Sequence, residues 1–523
     1  MERDDVLLGP LFTDGKTVNK KNAGDVASGS SPWPTWNLAI TALLVSLGGG
    51  FNFGYQLLIT NPAQEAFIQF VNISYTETHG VQQNREALEF IWGVIVSTFF
   101  WGATVGSLLI QTVADSFGRK RGLVLTFFVQ IISVLVAIAS YFTTSYIIYS
   151  ISRITLGIAI SVSLGIGPMF IIECSPVACR GMISMATGVM LQLGLVAGAI
   201  SAMPETWGTV ESWWLVYALE LVLTVFITVL VAFVPDSPIY LVTQSETRKA
   251  VKSLVYYHCI TEAEAKLLLT DAQQASKGDE SVGLFGIFKD RMWLCGSLVS
   301  AVVMGGTMLS GIAAVNAFAF EILLSVGLNG LQASIANIVI CFMAAVGALL
   351  SSQLVERLGR RPLLLSTFAA IAIVNAVLSG LMYLFALTTE TWIGWCVVVA
   401  ICIFNLVFAT GPGPVCFLVP GELVGQRARA ATYTWVNIIM NGIRSVLLAF
   451  YLPLRALLGG PLCYFLLFFP PCVITVAICY YWLPETSGRT PEQARSDMND
   501  LPRICGTIKK SDVNKELQLL SAP

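Results

Sequence analysis

The chain has 523 residues, 55% of them hydrophobic and only 12% charged, about half the charged fraction of an ordinary soluble domain. A net charge of −2 gives no sign of a nucleic-acid partner. Two histidines (His79 and His258), scattered cysteines with no CxxC pair, and the lack of a P-loop or GxGxxG argue against a metal site, any cofactor, a disulfide framework and nucleotide-driven chemistry.

Residues 1–35 are a polar tail without the apolar core of a cleavable signal peptide. Twelve apolar stretches follow, most of them near the roughly 20 residues that cross a bilayer. They lie at 38–59, 90–110, 123–142, 147–171, 182–202, 214–234, 293–323, 333–354, 363–387, 392–418, 431–453 and 461–483, the seventh and tenth long enough to be tilted or broken. Between the sixth and seventh, a polar stretch with Glu246, Arg248, Lys249, Glu262 and Lys266 reads as surface helices. The expected fold is an all-α integral membrane protein of twelve transmembrane helices. Two pseudo-symmetric six-helix halves (36–241 and 292–486) flank a helical linker (242–291), and a tail follows (487–523).

Basic residues set the orientation. Arg119, Lys120, Arg121, Arg180, Arg357, Arg360, Arg361, Arg427 and Arg429 fall in loops on one side, whereas the alternate loops hold little beyond Arg85 and Arg455. Both termini and the linker are therefore expected in the cytosol, and the plasma membrane is the expected location. The sequon Asn72-Ile73-Ser74 falls in the first loop on the opposite side, making Asn72 the candidate glycosylation site.

Charged phrases are written once in each half. Asp115-Ser-Phe-Gly-Arg119-Lys120 answers Glu356-Arg-Leu-Gly-Arg360-Arg361 (356−115 = 241). Glu173 and Arg180 answer Glu422 and Arg429 (422−173 = 249), and Asp236 answers Glu485 (485−236 = 249). Acids and bases repeated at matched spacing suggest a cytosolic gate whose groups pair across a closed face and part when it opens. Individual surface pairs are weak, so such a gate has to act as a network.

Taken together and in order, DSFGRKR (115–121), ECSPVACRG (173–181), PDSPIYL (235–241), ERLGRRP (356–362), GPGPVCF (411–417), GELVGQRAR (421–429) and PETSGRT (484–490) resemble the sugar-porter family of the major facilitator superfamily, and within it the facilitative hexose transporters. The resemblance spans about 36–495. It implies two halves rocking about a central solute site by alternating access. Arg153 resembles the family's fourth-helix arginine of the cytosolic network. Gln56 stands where proton-coupled sugar porters carry an Asp, which favours uniport. Gln192 matches the fifth-helix glutamine that hydrogen-bonds sugar.

The seventh-helix phrase is reduced to Leu309-Ser310-Gly311-Ile312, leaving Ser310 as its hydroxyl. Thr307 and Met308 replace paired glutamines, Ala313 replaces an asparagine, Phe417 a tryptophan, Ala409 a glutamate and Ala344 an asparagine. Each polar group lost costs a sugar hydroxyl about 0.5–1.5 kcal/mol. Asn316, Thr307, Asn437 and Asn441 are polar residues that could compensate. Arg444 lies thirteen residues into its span (444−431), roughly 20 Å deep in a ~30 Å core. A charge at that depth is a functional candidate, with three readings: anchoring an anion, pairing with Glu220 or Glu321, or snorkelling outward. The expected partners are a sugar-like solute and the lipid bilayer. A polyol, an organic anion such as urate, or a non-transporting solute sensor are the alternative readings. An enzyme is disfavoured, since no nucleophile–base constellation is visible.

Overall fold

The computed structural model describes residues 33–176, 179, 183, 185–276, 283–424 and 426–486, without the side chains of 270–276, 289, 291, 292, 352, 356, 426, 427, 429 and 430. All long regular elements among them are helices. The first half comprises α1 (Trp36–Leu58), α2 (Gln64–His79), α3 (Arg85–Ser116), α4 (Arg119–Phe142), α5 (Tyr146–Cys174), α6 (Ala186–Ser201) and α7 (Trp214–Phe233). The linker carries α8 (Pro238–Thr243), α9 (Thr247–His258) and α10 (Glu262–Ser276). The second half comprises α11 (Arg291–Met308), α12 (Ile312–Ser325), α13 (Gly330–Leu358), α14 (Arg360–Thr388), α15 (Thr391–Thr410), α16 (Pro412–Val424), α17 (Gln426–Leu458) and α18 (Gly460–Trp482).

Among the described residues, eleven helical spans are long and apolar enough to cross a bilayer. The fifth expected span is α6, apolar but with 16 described residues. The seventh and tenth expected spans are each broken in two. Gly311 adopts φ +107° between α11 and α12, a left-handed conformation open to glycine at little cost. Gly411 precedes Pro412, which opens α16 where its missing N–H is not needed. Phe128, Val222, Phe226 and Ile373 point outward, 56%, 69%, 60% and 64% exposed. An apolar periphery of that kind needs lipid around it.

The halves join along two symmetric seams, α3 against α17 and α6 against α13. Their cores are arranged unequally. On the face distal to the linker, Phe67, Trp92 and Trp213 share one cluster with Phe318 and Tyr451 of the other half. On the linker face each half keeps its own cluster, around Phe127, Ile166 and Val231 in the first and Val303, Phe368 and Val419 in the second. The bundle is thus closed distally and divided on the linker side.

Polar bonds reinforce the distal closure. Asn61 accepts from the Phe320 backbone N–H at 2.9 Å, Gln64 Nε2 donates to Glu321 Oε2 at 2.6 Å, and Ser334 donates to Glu205 at 3.1 Å. All three cross between the halves. The linker helix α9 is docked under the first half by Tyr257 to the Pro235 carbonyl at 2.7 Å and Ser253 to the Asp236 carbonyl at 2.6 Å.

Candidate solute-binding site

A cavity lies between the halves, lined by Gln56, Leu57, Thr60, Val96, Phe100 and Arg153 from the first and by Ala313, Asn316, Ala317, Arg444 and Leu448 from the second. Its free volume is about 10 Å³, close to the minimum that holds one water. A solute of several heavy atoms fits only after the halves move apart.

Two guanidinium groups meet this cavity. Arg153 donates through Nη1 to Gln56 Oε1, and Gln56 Nε2 donates to Glu220 Oε2. Gln56 is therefore an amide bridge between a buried cation and a buried anion, using both its donor and its acceptor. Arg153 also stands over the Phe99 ring, 4.8 Å from its centroid. Arg444 is 6% exposed, and its Nε and Nη1 have no hydrogen-bond partner. It faces the Phe100 ring of the opposite half at 5.1 Å, a contact worth about 0.5–2 kcal/mol. Both carboxylates that the sequence offered to Arg444 are engaged elsewhere, Glu220 with Gln56 and Glu321 with Gln64 and Arg455.

Of the expected solute residues, Asn316 and Arg444 line the cavity. Thr307 and Ser310 turn their hydroxyls to carbonyls of their own helix end, Val303 and Thr307, at 2.7 Å each. Asn441 reaches across to Ser107 at 3.4 Å and leaves its Oδ1 unpartnered. Gln192 Oε1 is likewise buried without a partner, but Gln192 is not part of the cavity wall. Phe417 is 40% exposed. Thr60 and Phe100 were not anticipated; neither belongs to a repeated phrase, and only the assembled bundle brings them to the cavity.

The expectation for Arg153 is corrected. It lies seven residues from the distal end of α5 (153−146), roughly 10 Å along the helix, and joins Gln56 at the cavity instead of the linker-side network. With the linker face divided in this structure, the described charges there bond within each half. Arg119 pairs with Glu173 at 3.0 Å and Asp115 at 3.4 Å, Ser237 donates to the other Glu173 oxygen, and Asp236 accepts from the Lys120 N–H at 3.1 Å. In the second half, Arg360 pairs with Glu422 at 3.0 Å, Thr486 donates to the other Glu422 oxygen, and Glu485 accepts from the Arg360 N–H at 3.0 Å. The two clamps superpose in logic down to Gly118 and Gly359, with φ +87° and +86°. A side chain at either would collide with Tyr240 or Glu485 respectively. Ser237 and Thr486, which close the repeated phrases and stand 249 apart (486−237) like the acids beside them, were not among the expected gate residues. Arg180 and the side chains of Glu356 and Arg429 lie outside the described residues.

The sequon is on α2 rather than in a loop. Asn72 Oδ1 is buried, and Ser74 is fully buried, accepting from the Tyr146 N–H at 2.9 Å. The α2 chain packs against α3 and α5, which is why a polar stretch between two spans is ordered as a helix.

A family match, relatives in sequence and a structural likeness can now be set beside this geometry. The family described as sugar (and other) transporter matches residues 41–497. Facilitated glucose transporter member 7 of Mus musculus is 29% identical over 460 residues, covering 87% of this chain and 88% of its own. Facilitated glucose transporter member 5 of Homo sapiens is 26% identical over 491 residues, covering 92% and 95%. The inward-open structure of the xylose transporter XylE from E. coli shares the fold with a TM-score of 0.71 at 18% identity, covering 88% of this chain and 99% of XylE. The chain belongs to the sugar (and other) transporter family, a multi-pass membrane protein with the major facilitator fold.

Proposed function

We propose that this protein is a facilitative uniporter that moves a hexose or a related polyhydroxylated solute across the plasma membrane by alternating access. As a member of its family it is a transporter and not an enzyme. The observation that carries the reading is the unequal core: one cluster shared by both halves distally, and two separate clusters on the linker side. With the linker in the cytosol, as the basic loops favour, this is a carrier closed to the outside. The relatives named as facilitated glucose transporters support a sugar as cargo. Gln56 supports uniport, because an amide at the bridge between Arg153 and Glu220 cannot titrate. Asn316 and Gln192 are the amides proposed to bond solute hydroxyls once the halves part. Asp115, Arg119, Glu173, Asp236, Glu356, Arg360, Glu422 and Glu485, with Arg180 and Arg429, are proposed to set the linker-side gate by holding each half rigid.

Purified protein in proteoliposomes, given labelled glucose, fructose and a polyol, tests this. Saturable uptake that reaches equilibrium and is blocked by unlabelled hexose is expected. Uptake no faster than in empty liposomes for all three, with well-folded protein, would overturn an uncharged cargo and leave a charged solute or the sensor reading.

A further inference from the structure

We propose that the central site takes a monoanionic hydroxylated solute, a sugar acid whose carboxylate docks against Arg444; this rests on the carrier reading above. Arg444 lines the cavity, is more than nine-tenths buried, and has no partner for Nε or Nη1. Arg153, on the opposite wall, leaves its own Nε unpartnered. Among the described residues, Glu220 is the one carboxylate that balances this pair, through Gln56, while Glu321 is held by Arg455. The centre of the bundle therefore carries two cations against one anion. An uncompensated charge away from water is strongly disfavoured, and the Phe100 face offsets it only in part. A single water would fill the present cavity and could accept from the unpartnered donors, but it would leave the charge in place. A monoanion cancels it.

The rest of the wall suits the remainder of such a solute. Asn316, Gln56 and Thr60 offer amide and hydroxyl groups for hydroxyls, and Val96 and Leu448 offer apolar contact for C–H faces. A carboxylate next to Arg444 would also bridge the halves, since Arg444 and Phe100 come from opposite sides of the seam. Binding of the anion would then favour the state in which both walls approach it.

The test uses full-length protein in proteoliposomes with labelled glucuronate, its uncharged methyl ester and labelled glucose. Three results are expected. Glucuronate uptake should be saturable and exceed ester uptake by about tenfold, a difference in transition-state affinity near one decade. It should speed up when a potassium gradient with valinomycin makes the interior positive, because a carried monoanion moves charge. The glucuronate-to-glucose flux ratio should fall about tenfold in Arg444→Gln and recover in Arg444→Lys, since the charge matters. Should the variants fail to fold, competition against glucose uptake in the native protein decides, with glucuronate inhibiting and the ester not. Glucose flux without any preference for glucuronate overturns this inference and leaves the carrier reading intact. Chloride moving electrogenically and displacing glucuronate would show an inorganic-anion site and overturn the sugar acid. No flux of any of these solutes overturns both readings.

Discussion

Glu321 of α12 joins Gln64 of the first half to Arg455 of α17, accepting from one on each carboxylate oxygen. It is the point where an ion pair inside one half is tied to the other half. The carboxylate is partly buried, with 23% of its side chain exposed, so its bonds are shielded more than those of a surface pair.

Weakening that junction should favour distal opening. Glu321→Gln keeps an acceptor for Gln64 but removes the charge that holds Arg455. We expect about 1 kcal/mol less closure, a shift of about fivefold in the open-to-closed ratio. The rate at which an impermeant maleimide, added from the distal side, labels Ala313→Cys reports it. An unchanged labelling rate would mean that the shared apolar core alone keeps the face shut.

The two linker-side clamps make a paired prediction. Ser237 bonds Glu173, and Thr486 bonds Glu422, at corresponding points of the two halves. Each is a hydrogen bond to a charged acceptor, worth about 1.5–3 kcal/mol. Ser237→Ala and Thr486→Val should therefore lower thermal stability by similar amounts and slow uptake together. A large loss in one and none in the other would show that the symmetry of sequence is not a symmetry of energy.

These clamps were legible in the chain because a duplicated bundle repeats its turns, and a turn needs particular residues. Gly118 and Gly359 are required by their positive φ, and the acids and bases beside them follow at fixed offsets. The breaks in the seventh and tenth spans were legible for a simpler reason, in the excess length of those two stretches. The cavity was much less so. Arg444 stood out by its depth, but Thr60 and Phe100 carry no local signal, and the partners of Glu321 are fixed only by how two distant halves meet. Arg153 was misplaced because a family phrase gave its helix but not its height on it.

Acid should loosen the distal surface where α2 meets α3. Arg85 bonds both oxygens of Glu65, at 3.0 and 2.8 Å, and those hydrogen bonds hold the Glu65 carboxyl below its ordinary value of 4.5. A group depressed in the folded state contributes stability above its unfolded value and loses it as pH falls through the folded one. The window is therefore below about pH 4.5. The pair is half-exposed, so the effect should be small, and Arg85→Ala should flatten it in thermal melts taken from pH 6 down to about pH 3. A melt whose acid slope is the same in both proteins would remove this pair from the account.

Gly54 and Gly194 interlock α1 with α6, and they govern the position of Gln56. A Cβ on Gly54 would come 2.0 Å from the Leu191 carbonyl oxygen, and one on Gly194 would come 2.2 Å from that of Phe51. Both contacts are to backbone, which cannot swing aside, so an added methyl has to push the helices apart. Such close approach of small residues is how helices pack where lipid removes the hydrophobic drive. Gln56 lies two residues past Gly54, and its bridge between Arg153 and Glu220 has little tolerance for displacement. Gly188, on the same helix as Gly194, has nothing within 4 Å of its added Cβ. Gly194→Ala should therefore cost about 1–3 kcal/mol through overpacking and reduce uptake. Gly188→Ala should instead be neutral or stabilising by about 0.5–1 kcal/mol, the usual gain of alanine over glycine within a helix. Thermal melts and initial uptake rates of the two variants, measured side by side, check this; equal behaviour would mean that the α1–α6 seam is looser than its geometry implies.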